Sequence, residues 1–109
     1  MPDVIVNRRA TPRHMLVLAA EIVETVSGAK LKGRTSDVGR YGCYIDILNT
    51  VPAGSKVRVR LTHEDEVFEA TARVVYVSPG LGMGMHFEDP IPPEQVARLE
   101  RWLQEAPLV

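Results

Sequence analysis

Residues Lys56 to Thr62, KVRVRLT, alternate without a break: Val57, Val59 and Leu61 fall on one side, Lys56, Arg58 and Arg60 on the other. Only an extended chain sends successive side chains to opposite faces, so this stretch reads as a strand with one apolar face and one basic face. The apolar face must be covered by another layer, which commits the surrounding chain to a sheet that packs or closes on itself.

Neighbouring segments read the same way. From His14 to Val26 the text is HMLVLAAEIVETV, apolar on both sides in its first half. Its valine and isoleucine content and the Ser27-Gly28 breaker favour a long strand ending in a hairpin turn. Leu31 to Val38 is the returning strand, and Gly39-Arg40-Tyr41-Gly42 is a tight turn into a strand over Gly42 to Ile47. Asn49 to Ser55 is a loop, and His63-Glu64-Asp65 is a polar turn. Glu66 to Ser78 is a strand with Phe68, Ala70, Ala72, Val74 and Tyr76 on one face. Pro79-Gly80-Leu81-Gly82 turns the chain into MGMHF. A helix starts at Pro92-Pro93, where a missing N–H is harmless; Val96, Leu99 and Leu103 form its apolar stripe with Trp102 beside them. The sum is all-β: about six strands in a barrel or sandwich, closed by a C-terminal helix.

Composition excludes several classes. The 109 residues suffice for one core. With 13 basic and 14 acidic side chains the net charge is −1, unlike a domain that grips a nucleic acid polymer through many phosphates. Six aromatic residues of the Phe, Trp and Tyr kind are too few for a stacking platform along a single strand of nucleic acid. Cys43 is the one cysteine, so neither an internal disulfide nor a cysteine-based zinc site forms, and a reducing cytosol is expected. No apolar run suits a signal peptide or a membrane span. His14, His63 and His86 are widely spaced and suggest neither a metal site nor a catalytic base. Gly80-Leu81-Gly82-Met83-Gly84 looks like a fragment of a dinucleotide loop but leads into a β pattern, so a hairpin turn is expected. The basic face Lys56, Arg58, Arg60 is a solvated strand face or a partner surface.

Two clusters carry chemistry. Arg8-Arg9-Ala10-Thr11-Pro12-Arg13 crowds three guanidiniums, which repel unless an anion intervenes. The guanidinium fork suits phosphate and the O6/N7 edge of guanine. A solvated basic arm is the plainer alternative. Asp37-Val38-Gly39-Arg40-Tyr41-Gly42 places a carboxylate able to accept from the N1–H and N2–H₂ edge of guanine beside glycines that admit a close backbone approach. Read alone, it is an ordinary turn.

In combination these clusters resemble the PilZ family, whose signature is Arg-x-x-x-Arg followed later by Asp/Asn-x-Ser-x-x-Gly. Arg9-Ala10-Thr11-Pro12-Arg13 matches the first half, with Arg8 also typical; Asp37 and Gly42 match the second, and Gly39 stands where the family usually has Ser. ARVVYVSPGLGMGMHFEDP and PPEQVARLERWL look like the family's last two strands and closing helix. The resemblance implies a six-stranded antiparallel barrel with a C-terminal helix, spanning 9–105 after a flexible arm at 1–8. It implies a non-enzymatic bacterial receptor for cyclic di-GMP that changes conformation on binding, with motility, surface or biofilm outputs. Arg8, Arg9 and Arg13 would reach phosphate and guanine from the arm, Asp37 would hold a guanine edge, Gly42 would permit backbone approach, and Gly39 lacks the family hydroxyl. With no attached output domain, the signal would pass through a partner protein, without membrane insertion, cofactor or metal. The alternative is a PilZ-like interaction module that has lost the nucleotide.

Overall fold

The computed structural model describes residues 12–109. Along these residues run β1 (Arg13–Met15), β2 (Ala19–Glu24), β3 (Lys30–Gly39), β4 (Gly42–Asp46), β5 (Lys56–His63), β6 (Glu66–Ser78), β7 (Gly82–Phe87) and α1 (Pro93–Gln104). The KVRVRLT alternation lies in β5: Val57, Val59 and Leu61 are buried, while Lys56, Arg58 and Arg60 are exposed.

All pairings between these strands are antiparallel. They run β3-β2-β5-β6-β7-β4, and β4 pairs back onto β3, which closes a six-stranded barrel; β1 is an extra strand on β3. One edge of β3 serves β2 through Lys30–Arg34 and then β1 through Asp37–Gly39, while its other edge serves β4. A shift of register between Thr35 and Asp37 bends β3 between these two duties.

The single strand expected from His14 to Val26 is therefore two. The break at Leu16–Leu18 has an identifiable cause. The Thr35 hydroxyl accepts from Leu18 N–H at 2.8 Å and donates to the Leu16 carbonyl at 2.6 Å. A buried side chain thus replaces ladder bonds, and the chain can step from β1 to β2.

The barrel is filled from every wall: Ile22 from β2, Val38 from β3, Ile45 from β4, Leu61 from β5, Phe68 from β6 and Met85 from β7. Phe68 meets Phe87 with ring centroids 5.0 Å apart, and a fully buried side chain such as Phe68 contributes about 1.5–3 kcal/mol of transfer free energy. Tyr76 departs from the expected inward face. A register shift between Val74 and Tyr76 reverses the alternation, leaving Val74 buried and Tyr76 51% exposed.

Helix α1 begins at Pro93 as its sequence requires, and Leu99, Trp102 and Leu103 are its buried side chains; Val96 is only half-buried. Glu66 at the start of β6 holds the helix. It accepts from the Trp102 indole N–H at 3.0 Å and from Arg101. No helix among the described residues is long and apolar enough to cross a membrane.

Candidate functional site

Antiparallel pairing of β1 with β3 sets Arg13 opposite Gly39 and Met15 opposite Asp37. From there Arg13 reaches diagonally to the carboxylate: Nε and Nη2 both donate to Asp37 Oδ1, at 2.9 and 2.6 Å. The side chains are 18% and 29% exposed, so the pair sits at the surface but is shielded on one side. Two of the expected site residues are thus brought together across two strands.

Gly39 explains how. A Cβ there would lie 2.8 Å from Arg13 Cδ and 3.1 Å from the Pro12 carbonyl oxygen, because the arginine runs across the glycine to Asp37. Its φ is ordinary, so space and not backbone strain is what this glycine supplies. Gly42 stands opposite Gly39 in the β3–β4 hairpin, and a Cβ on it would strike the Met85 carbonyl oxygen of β7. Gly42 therefore has a structural reason of its own, the close approach of β4 and β7. Arg8 and Arg9 lie outside the described residues, as does the arm expected at 1–8.

Arg13 was expected to reach a ligand from a flexible segment. It stands instead in a strand held from both edges, since Val109 N–H donates to the Arg13 carbonyl at 3.0 Å and Met15 N–H to that of Pro107 at 2.8 Å. The His14 ring Nδ1 lies 3.0 Å from the Ala106 carbonyl oxygen. In the turn beyond Gly39, Arg40 binds Glu100 of α1 at 2.9 Å and lies over the Tyr41 ring. Beneath the site, Cys43 is fully buried, and burial favours its neutral thiol, pushing it up to about 12 despite the opposing pull of Arg13. Among the described residues no cluster of three His, Cys, Asp or Glu side chains could hold a metal ion.

The register reveals neighbours that sequence reasoning missed. Met15, Asp37, Tyr44, Gly84 and Tyr76 are successive partners in one row across β1, β3, β4, β7 and β6. Tyr44 and Tyr76 lie 5.9 Å apart, tilted by 32°. Their rings cover the glycines of β7: a Cβ on Gly84 would enter the Tyr76 ring, and one on Gly82 would lie 2.8 Å from Tyr44 Cε1. The signal was present in GMGMHF, where two small residues alternate with buried methionines, but the strand order was needed to see which rings occupy the space. A carboxylate–guanidinium pair beside flat aromatic surface suits a planar, hydrogen-bonding, anionic molecule, such as a purine nucleotide.

A closed antiparallel barrel with a terminal helix, carrying a charged pair and aromatic rings on its outer wall, defines a small β-barrel domain whose candidate site is external. A family model described as the PilZ domain matches residues 7–105, and the chain belongs to that family. The PilZ domain of Escherichia coli YcgR, solved with c-di-GMP, is similar with TM-score 0.73 and 15% identity, covering 89% of each chain. The PilZ domain of CeSA from a cellulose-synthesizing bacterium gives TM-score 0.65 and 17% identity over 84% of this chain and 94% of that one. Bacillus subtilis MotI/DgrA, an inhibitor of motility, gives 0.72 and 17% over 89% of this chain, which spans about half (49%) of that protein. At these identities the likeness is one of fold. Comparison with curated protein sequences found no match.

Proposed function

We propose that this chain is a non-enzymatic receptor for cyclic di-GMP that passes its signal to a protein partner. The observation that carries the reading is the Arg13–Asp37 pair, assembled from both halves of the family motif on neighbouring strands. Cyclic di-GMP offers guanine edges and two phosphates. Asp37 accepts from the N1–H and N2–H₂ edge of one guanine. Arg13, already beside it, turns its fork to phosphate or to guanine O6 and N7. Tyr44 and Tyr76 provide apolar surface along the same row for a base. Arg8 and Arg9 complete the cation set from the segment preceding β1.

Binding exchanges one partner for another: Arg13 and Asp37 satisfy each other in the unliganded protein, and the nucleotide takes over those bonds. This rearrangement next to the Gly39–Gly42 turn is what a partner protein reads. The second reading, an interaction module without nucleotide, is favoured by one observation: Gly39 lacks the family hydroxyl and its space is filled by Arg13. Calorimetric titration with cyclic di-GMP, with GTP as control, separates the two. The receptor reading requires binding in preference to GTP. No heat at about 1 mM ligand, roughly 4 kcal/mol of affinity, rejects it.

A further inference from the structure

Of the 13 lysines and arginines, all but Arg8 and Arg9 are described, and Arg13, Arg40, Arg60, Arg73, Arg98 and Arg101 each have a carboxylate within ion-pair distance. Lys30, Lys32, Arg34, Lys56 and Arg58 have none among the described residues. All five are exposed. They also share one wall of the barrel, on the first half of β3 and the start of β5, to either side of β2.

The register lays this wall out. One row reads Lys30, Val23, Arg58; the next reads Lys32, Glu21, Arg60, Glu69. Glu21 and Val23 form a ridge along β2, with a groove on each side. One groove is lined by Lys30 and Lys32, the other by Arg58, Arg60 and Glu69. At the margin Arg34 stands opposite Asp46 without an ion pair. A chain of net charge −1 has acidic groups enough to neutralise these cations, yet among the described residues they stand together without an ion pair. On this wall six cations outnumber Glu21 and Glu69, so a net positive charge remains that an oppositely charged partner relieves and that steers its approach.

We propose that this wall is a docking surface for an acidic protein. The chemistry favours a protein over other anions. Glu21 sits at the centre and Glu69 at one side, so a uniform row of phosphates would meet two carboxylates, whereas a protein surface can set its own acidic groups over the lysines and a basic group over Glu21. No aromatic residue stands among Ala19–Glu24, Lys30–Arg34 or Lys56–Thr62 to stack on a base, and Val23, half-buried, is no membrane wedge. The inference rests on the receptor reading for what the contact signals; its charge argument stands apart from it.

The test uses the full chain at about 50 mM salt, where surface charge is little screened. Its probes are a fluorescent glutamate-rich peptide containing scattered lysines, a DNA duplex, and phosphatidylglycerol vesicles. The peptide should bind in preference to the other two. Lys32→Glu with Arg58→Glu should weaken it at least about tenfold, equivalent to about 1.4 kcal/mol. Ala97→Glu with Gln104→Glu, the addition of two negative charges on α1, should change it by less than about threefold, against that same scale. Tighter binding of duplex or vesicles, or equal loss in both double variants, overturns the proposal. Cyclic di-GMP titration of each protein runs in parallel. Loss of nucleotide binding with peptide binding intact would sink the receptor reading alone.

Discussion

Replacing Gly39 by serine would put a Cβ 2.8 Å from Arg13 Cδ and 3.1 Å from the Pro12 carbonyl oxygen. The backbone itself is no obstacle, because φ at Gly39 is ordinary. Arg13 must lift off the strand and its bonds to Asp37 lengthen or break. For a partly exposed pair that loss is about 0.5–1 kcal/mol, a fall of a few degrees in Tm for a domain of about 100 residues. Ligand affinity moves the other way. A carboxylate and guanidinium already parted no longer have to be separated by the nucleotide, which returns the same ~0.5–1 kcal/mol. The new hydroxyl adds about 0.5–1.5 kcal/mol if it finds the ligand. Together these give tighter binding by roughly fivefold to seventyfold. Gly39→Ala separates the contributions, since it brings the collision without the hydroxyl and should tighten binding only about twofold to fivefold. Calorimetry and thermal melts on both variants are the assay. If both bind more weakly while Tm is unchanged, the path of Arg13 over Gly39 belongs to the bound state, and the partner-exchange argument fails.

Arg13→Ala should weaken cyclic di-GMP by about 1.5–3 kcal/mol, the scale of hydrogen bonds to charged groups, while costing the unliganded fold no more than about 1 kcal/mol. Loss of fold instead of affinity would make this arginine structural. Gly42→Ala should behave oppositely. Its methyl meets the Met85 carbonyl, so about 1–3 kcal/mol of stability should go, read as a lowered urea midpoint; an unchanged midpoint would refute the close approach of β4 and β7. The Trp102 indole, and next Arg101, hold the Glu66 carboxyl below its ordinary 4.5. A depressed folded value means stability that is present above the ordinary value and lost as pH falls below 4.5 through the folded one. Melting of Glu66→Gln should therefore depend less steeply on pH in that acid window than the parent; parallel curves would show that Glu66 does not hold α1 through its charge.

The barrel was legible where one face of a strand meets oil and the other water. Val57, Val59 and Leu61 declared β5 because no other conformation buries all three and exposes the basic residues between them. The Pro92-Pro93 start and the buried Leu99 and Leu103 were equally plain. Where both faces carry apolar residues the pattern loses its hold. The HMLVLAA stretch reads as continuous strand, and only Thr35, seventeen residues beyond Leu18, interrupts it. Tyr76 was misplaced for a related reason: alternation is counted residue by residue, and a register shift near Val75 reverses every later assignment. At the candidate site, sequence supplied Arg13 and Asp37 but not that they touch, nor that Tyr44 and Tyr76 stand in line with Asp37. Those relations are set by strand order, which spacing along the chain does not encode.

Strand β3 is where the two surfaces meet. Asp37 and Gly39 stand in its second half, against β1; Lys30, Lys32 and Arg34 stand in its first half, against β2. Between them the buried Thr35 hydroxyl bonds Leu16 and Leu18, and Thr35 N–H donates to the Leu18 carbonyl at 3.0 Å. The step from β1 to β2 is thus fastened to β3 at the point where β3 changes register. In the proposed receptor, a nucleotide that draws Arg13 away from Asp37 would act on β1, whose other edge is bonded to the tail at Pro107 and Val109 and whose continuation is bonded to Thr35. The basic wall begins at Arg34, next along the strand. Contact of this kind provides a route but not a coupling energy, which must come from a difference in ligand affinity between two arrangements of the same element. In the proposed receptor, partner exchange at Asp37 would supply such a difference, since the carboxylate that now accepts from Arg13 would have to open to accept from guanine.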